Sequence, residues 1–192
     1  DIKFRLKNSI DKKIYLSPGN IGAKFLENNF NINSTTVAII SNFIGESIDY
    51  AISNDAREIV LCGDLGKLIK LSGGIMNTHS NDSDSRLELL VAAVTKLCIK
   101  ENKELPIQII SNIFEQKTTT GAVNIIKENN FKNCFDILAD QMLYYAYNRA
   151  FKAEIFYHKN RYANIEEFKN NLKIRIIVFS DNITIIDTGE NK

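Results

Sequence analysis

Lys13-Ile14-Tyr15-Leu16-Ser17-Pro18-Gly19-Asn20-Ile21-Gly22 sets the reading of everything around it. Lys13-Ile14-Tyr15-Leu16 is a short β-type run that stops at the turn residues Ser17-Pro18-Gly19-Asn20, and Ile21 to Asn29 continues as a helix. The same order returns twice. Thr35 to Ile40, rich in β-branched residues, meets Ser41-Asn42-Phe43-Ile44-Gly45 and runs on as an amphipathic stretch through Ile52. Glu58-Ile59-Val60-Leu61-Cys62 then meets Gly63-Asp64-Leu65-Gly66 and a helical Lys67-Leu68-Ile69-Lys70-Leu71. Three serial β-loop-α units predict a parallel sheet. The apolar strands suit burial on both faces, so the expected fold class is α/β: a three-layer, Rossmann-like sandwich with a mostly parallel sheet and a late helical stretch. In such folds ligands bind outside the carboxyl ends of the strands, which puts all three loops on one rim.

Farther along, Gly73 to Asp84 is a polar loop, and Arg86 to Lys100 carries apolar residues at helical spacing, with Ser83 or Asp84 as its expected cap. Further helices are expected at Ile107 to Phe114, Thr119 to Asn129 and Phe135 to Phe151. Strands are expected at Ala153 to Tyr157, at Lys173 to Phe179 and at Ile183 to Ile186. The 192 residues are expected to form a single α/β domain, since the length and a 44% hydrophobic content suffice for one core.

Charge narrows the partners. Lys plus Arg number 24 and Asp plus Glu 23, so nothing draws the chain as a whole toward nucleic acid or an anionic membrane, and anion binding must be local. No apolar run reaches the about 18 to 20 residues of a membrane span, and the first residues lack a secretory signal, which predicts a cytoplasmic protein. Cys62, Cys98 and Cys134 are far apart among apolar neighbours, which predicts buried free thiols rather than disulfides or a metal site; Cys62, beside Gly63, is the one alternative for a reactive thiolate.

Each rim loop admits a chemical and a plain structural reading. Gly19, Asn20 and Gly22 can let backbone amides and a helix start meet a carboxylate or phosphate, or can simply form a turn and a packing contact. Asn42 and Glu46 can bind ribose hydroxyls, or Ser41 or Asn42 can cap the helix with Glu46 as its N-terminal capping carboxylate. Gly63-Asp64-Leu65-Gly66-Lys67 lacks the spacing of a nucleotide triphosphatase loop; Lys67 can bind a substrate carboxylate, and Lys70 is expected to be a solvated charge. The densest polar group is Asn77-Thr78-His79-Ser80 with Asp82, Asp84, Arg86 and Glu88. His79 suits proton transfer near neutrality or a structural hydrogen bond, and Asp84 with Arg86 suits a site or a cap and ion pair. No Gly-x-Gly-x-x-Gly follows any strand, which argues against a dinucleotide oxidoreductase.

The run Gly-Asp-Leu-Gly-Lys-Leu-Ile-Lys-Leu-Ser-Gly-Gly-Ile-Met-Asn-Thr-His-Ser from Gly63, with Asp84, Arg86 and Glu88, resembles the signature of the CbiD-type cobalt-precorrin-5B C(1)-methyltransferases of anaerobic cobalamin biosynthesis. Ser17-Pro18-Gly19-Asn20-Ile21-Gly22 is similar to that family's Thr-Pro-Gly-Asn-x-Gly, and Ser41-Asn42-Phe43-Ile44-Gly45-Glu46 to its Ser-Asn-Phe-Ile-Gly-Glu/Asp. The family's Gly-His-x-Gly-Lys stands here with Asp64 in place of histidine, and its N-terminal Gly/Thr-rich motif has no counterpart, so the chain resembles the C-terminal part. The resemblance implies methyl transfer from S-adenosyl-L-methionine to carbon 1 of a cobalt-bound tetrapyrrole. On that reading Gly19, Asn20, Gly22, Ser41, Asn42, Glu46, Gly63 and Asp64 hold the methyl donor, Lys67, His79 and Arg86 hold or polarise the macrocycle, and Asp84 counts with these three as catalytic, with no metal ligands contributed. The partners implied are the tetrapyrrole and the N-terminal part of the enzyme, without nucleic acid or membrane, with a homo-oligomer also open. The alternative is a non-catalytic corrinoid- or partner-binding module that needs its N-terminal part for activity.

Overall fold

A computed structural model describes residues 1–159 and 161–189. In chain order the elements are α1 (Ile2–Asn8), β1 (Lys13–Ser17), α2 (Asn20–Phe30), β2 (Val37–Ile39), α3 (Ile44–Ser53), β3 (Glu58–Asp64), α4 (Leu65–Leu68), α5 (Arg86–Lys100), α6 (Ile107–Phe114), α7 (Thr119–Glu128), α8 (Cys134–His158), α9 (Ile165–Lys169), β4 (Lys173–Ser180) and β5 (Ile183–Asp187), with 3-10 turns at Ser34–Thr36 and Ile69–Gly73.

The sheet order is β2-β1-β3-β4-β5. β2, β1, β3 and β4 are parallel, with Leu16 opposite both Ala38 and Leu61 and Cys62 opposite Ile177, and β5 closes the edge antiparallel to β4. The expected α/β sandwich with a mostly parallel sheet is therefore the fold. Alternation along the strands separates two cores, because successive side chains point to opposite faces. Ile14, Leu16, Ile59, Leu61, Ile174, Ile176 and Val178 pack with α1, α3, α5 and α8. Val60, Cys62, Ile177 and Phe179 face α2, where the Phe25 and Phe179 rings stack at 4.2 Å. The layers are unequal: among the described residues, α2 is the one helix that contributes to the second core.

This order fixes where a ligand can sit. From β1 the chain passes to one neighbour through α2, then returns across the sheet through α3 to the other side of β1 as β3. The carboxyl ends of β1 and β3 therefore send their loops apart, and the crevice between diverging connections is where open α/β sheets bind ligands.

Three local expectations change. Ala153 to Tyr157 is the last part of α8 rather than a strand. Leu138, Met142, Ala146, Ala150 and Ala153 form one buried stripe at helical spacing that carries the helix through, while Phe156 on the outer side is exposed. Gly63 and Asp64 end β3 rather than opening a loop, and the second strand begins at Val37 because a 3-10 turn, capped by the Asn33 side chain on the Thr35 amide, takes Ser34–Thr36. The short α1, whose Ile2 and Leu6 are buried, gives too few turns for a helical period to be read from the sequence.

Candidate functional site

A cleft of about 350 Å³ opens at the carboxyl ends of the strands. It is lined by Asn42 after β2, Asp64 at the end of β3, Gly66, Lys67 and Lys70 just beyond it, Thr78, His79 and Ser80 from the polar loop, and Arg86 at the start of α5. The polar loop reaches the cleft because its backbone is fastened to the loop after β2. Thr78 N–H donates to the Asn42 carbonyl at 3.0 Å, Gly45 N–H to the Met76 carbonyl at 3.1 Å, and Phe43 bridges Asn77.

Side chains tighten the same junction. Lys67 Nζ donates to Asn42 Oδ1 at 3.2 Å and lies 3.5 Å from the Pro18 carbonyl, so a single ammonium joins all three rim loops. Asp64 Oδ1 accepts the Gly66 amide at 2.8 Å and caps α4. Arg86 forms a two-point pair with Asp84, Nε to Oδ1 at 2.5 Å and Nη2 to Oδ2 at 3.0 Å. That hydrogen bond holds the Asp84 carboxyl below its usual range and raises the guanidinium. Asp84 lines an adjoining cleft of about 220 Å³ with Arg86, Thr118 and Thr119. His79 is exposed, and its Nδ1 accepts the Asn81 amide at 3.1 Å, which places the proton of the neutral ring on Nε2.

Five of the twelve residues singled out from the sequence thus line the main cleft: Asn42, Asp64, Lys67, His79 and Arg86. Asp84 borders it through Arg86. Gly19 and Asn20 lie on the neighbouring rim, where Gly19 starts α2 with no side-chain cap and with nothing within 4 Å of the space a Cβ would fill. Gly22 and Gly63 are packing positions. A Cβ on Gly22 would lie 2.3 Å from Ser17 Oγ and 2.7 Å from the Cys62 carbonyl oxygen, and one on Gly63 would press on Leu68 and Pro18 at 3.1 Å. Ser41 and Glu46 are exposed and lie outside the cleft lining. Neither Ser41 nor Asn42 caps α3, whose N-cap is Phe43 with no side-chain hydrogen bond, and neither Ser83 nor Asp84 caps α5, whose N-cap is Ser85.

The cysteines are not part of the site. All three are buried, and burial pushes the Cys62 and Cys134 thiols up to about 12, so Cys62 is no thiolate nucleophile.

Sequence reasoning missed Lys70. Its side chain is 2% exposed, not solvated, and its Nζ donates to the Thr78 carbonyl at 2.9 Å. The only trace in the sequence is that Leu68, Ile69 and Leu71, all buried, flank it. Thr119 and Thr120 were missed as well. They enter from α7, with Thr119 buried near Gly66 and Thr120 Oγ1 3.3 Å from Ser180 Oγ at the end of β4, and no spacing in the sequence links them to β3.

Comparison with known proteins is informative. The family model described as CbiD, C-terminal domain, matches residues 77–157, which extends the likeness well beyond the rim motifs into α8. The cobalt-precorrin-5B C(1)-methyltransferase of Ruminiclostridium cellulolyticum is 36% identical over 166 residues, covering 86% of this chain and 37% of that protein. Proteins of the same name from Alkaliphilus metalliredigens and Clostridioides difficile are 33% and 32% identical over 131 and 141 residues, each match covering 33% of the relative. The chain thus spans roughly a third of the length of these curated relatives. No solved structure gives a significant match.

Proposed function

Because the chain belongs to the CbiD family, we propose that it forms the C-terminal part of a cobalt-precorrin-5B C(1)-methyltransferase and supplies one wall of the site where an S-adenosyl-L-methionine methyl group passes to carbon 1 of the tetrapyrrole. The observation that carries this reading is the meeting at Lys67 of the loops after β1 and β2 with the turn after β3, beside a cleft at the carboxyl ends of the strands.

The groups present suit both ligands. The uncapped start of α2 at Gly19 has open space beside it and offers amides to the donor's carboxylate, while Asn42 and Asp64 offer an amide and a carboxylate to its hydroxyls and its cationic end. Bound there, the donor supplies an electrophilic methyl group. Lys67 and Arg86 are cations facing the cleft, and the acetate and propionate arms of a tetrapyrrole are their natural counterparts. A cleft of about 350 Å³ takes the arms and edge of such a ring rather than the whole of it, which agrees with a site shared with the rest of the enzyme.

The residues act mainly by placement. Methyl transfer needs the nucleophilic carbon in line with the methyl and its leaving sulfur, and holding two reactants in that geometry is worth many powers of ten in effective concentration. Lys67 orients Asn42, and Asp84 fixes the plane of the Arg86 guanidinium. His79 presents an Nε2 proton donor at the exposed edge.

A second reading, a ligand- or partner-binding half without its own chemistry, is favoured by Asp64. The residue at the family's histidine position caps α4 here. Calorimetry with S-adenosyl-L-methionine on this chain tests the donor site: Asn42→Ala should weaken binding at least several-fold, and unchanged affinity rejects the placement. Transfer of labelled methyl by the full polypeptide that carries this part, repeated with Asn42→Ala, separates the two readings: a loss of kcat marks a share in the chemistry, and a rise in KM alone marks a binding half.

A further inference from the structure

We propose that Lys70 is a carboxylate-binding residue of the cleft lining, hydrogen-bonded to the Thr78 carbonyl so that a ligand's anionic arm completes the shell of its buried ammonium. The proposal rests on the tetrapyrrole reading above and adds to it a residue at the cleft floor. An ammonium withdrawn from water is costly unless paired and hydrogen-bonded on its remaining protons. Lys70 has three N–H donors, and its hydrogen bond in the structure goes from Nζ to the neutral Thr78 carbonyl at 2.9 Å. Among the described residues it forms no ion pair.

The acids nearby are committed or distant. Asp84 is held by two hydrogen bonds to Arg86, Asp64 gives Oδ1 to the Gly66 amide, and Asp82 is an exposed residue that acts on Lys70 only through longer-range charge. Burial accordingly lowers the Lys70 pKa from its ordinary value. The cleft lining holds Lys67, Lys70 and Arg86 against the carboxylate of Asp64, and with Asp84 paired to Arg86 one positive charge is left over. That balance calls for an anion, and a lysine suits one carboxylate oxygen as a compact point charge. The same ammonium ties down Thr78, whose amide is bonded to Asn42, so a carboxylate arriving at Lys70 would be registered by the loop that carries His79.

The test uses two corrin probes with the same ring: dicyanocobyrinic acid, which carries free carboxylates, and its heptamethyl ester, which carries none. Binding to the full polypeptide that carries this part is measured by calorimetry, and the Lys70 ¹³Cε and ¹⁵Nζ resonances are followed in its unsubstituted form, so a readout survives if a variant folds poorly. The expected result is binding of the acid at least tenfold tighter than the ester, a shift of the Lys70 resonances with the acid alone, and an at least tenfold loss of acid affinity in Lys70→Met. Acid binding that leaves the Lys70 resonances and the Lys70→Met affinity unchanged overturns the proposal while the tetrapyrrole reading stands. Equal binding of acid and ester also overturns it, because no carboxylate is then being read. Binding of neither probe overturns the tetrapyrrole reading and this proposal together.

Discussion

Asp64 combines a cap and a charge, and two substitutions separate them. Its Oδ1 accepts the Gly66 amide at 2.8 Å, while its negative charge sits among Lys67, Lys70 and Arg86 in the cleft lining. Asp64→Asn keeps an oxygen for the amide and removes the charge; Asp64→Ala removes both. Losing a side-chain cap costs about 1 kcal/mol, which for a chain of this size is roughly 2–4 °C in Tm. Asp64→Ala should fall by that amount, and Asp64→Asn should stay within a few tenths of a kcal/mol of the parent, about the measurement error. Charge acts on ligand affinity instead. Unit charges ~8 Å apart interact by roughly 0.5 kcal/mol in water and roughly 2 kcal/mol at an effective dielectric constant of 20. Both variants should therefore bind dicyanocobyrinic acid about 2- to 30-fold more tightly than the parent. Thermal unfolding followed by circular dichroism reads the first effect and calorimetry the second. An Asn variant as unstable as the Ala variant would refute the cap, and weaker acid binding in both would refute the idea that this carboxylate opposes the anion.

Three other outcomes follow from contacts away from the cleft. Gly22→Ala should lower the urea midpoint by the equivalent of about 1–3 kcal/mol, because the new Cβ meets the Cys62 carbonyl oxygen at 2.7 Å and α2 must lift from the sheet; a parent-like midpoint would show that the helix yields freely. Cys62 and Cys134 should resist iodoacetamide at pH 8 in the folded chain and react fully in urea, and mass spectrometry showing prompt native labelling of either would contradict their burial and their thiols' rise to about 12. Burial pushes the Asp187 carboxyl up, but the Arg175 guanidinium and the Gly189 amide outweigh it and hold the group below its usual value. A lowered folded-state pKa gives stability that is present above the ordinary carboxylate pKa, about 3.9, and lost as pH falls through the folded value. Asp187→Asn should accordingly flatten the acid limb of a stability–pH curve, and a limb of unchanged slope would exclude Asp187 as its source.

The rim was legible in the sequence for a reason that does not extend to the rest of the molecule. A buried parallel strand followed by a turn and a helix imposes composition on contiguous residues, so Lys13–Ser17, Val37–Ile39 and Glu58–Asp64 showed themselves, and the loops after them had to share an edge. The C-terminal end of α8 did the opposite. Ile155-Phe156-Tyr157 has strand composition, yet the deciding residues are Leu138, Met142, Ala146 and Ala150, one to four turns earlier, whose stripe commits the helix to the core. Lys70 escaped because burial of a lysine is decided by what folds over it, here the Gly73 to Thr78 segment, which is polar loop by sequence. Gly22 and Gly63 show the converse. Their positions in rim motifs suggest ligand approach, but the Cβ contacts that exclude larger residues come from Ser17, Cys62, Leu68 and Pro18.

These failures share a physical origin that bears on the site itself. The two lysines of the cleft are held by neutral oxygens from other loops: Lys67 by the Pro18 carbonyl together with the Asn42 side chain, Lys70 by the Thr78 carbonyl. The backbone contacts place no demand on the side chain of the residue that accepts, so the motifs that hold Pro18 and Thr78 do not reveal which lysine each oxygen meets. The loop carrying His79 is fastened in the same way, through the Asn42 and Met76 carbonyls. It follows that the geometry of the cleft depends on the β2–α3 connection as much as on the residues that would touch a ligand. Substitutions that shift the backbone at Ser41, whose φ is +54°, should then disturb Lys67 and Thr78 together although the Ser41 side chain lies outside the cleft. Ser41→Val, a β-branched residue that tolerates positive φ poorly, should reduce affinity for dicyanocobyrinic acid, and Ser41→Gly should retain it. Equal affinities would mean that the loop holds its shape without help from that turn.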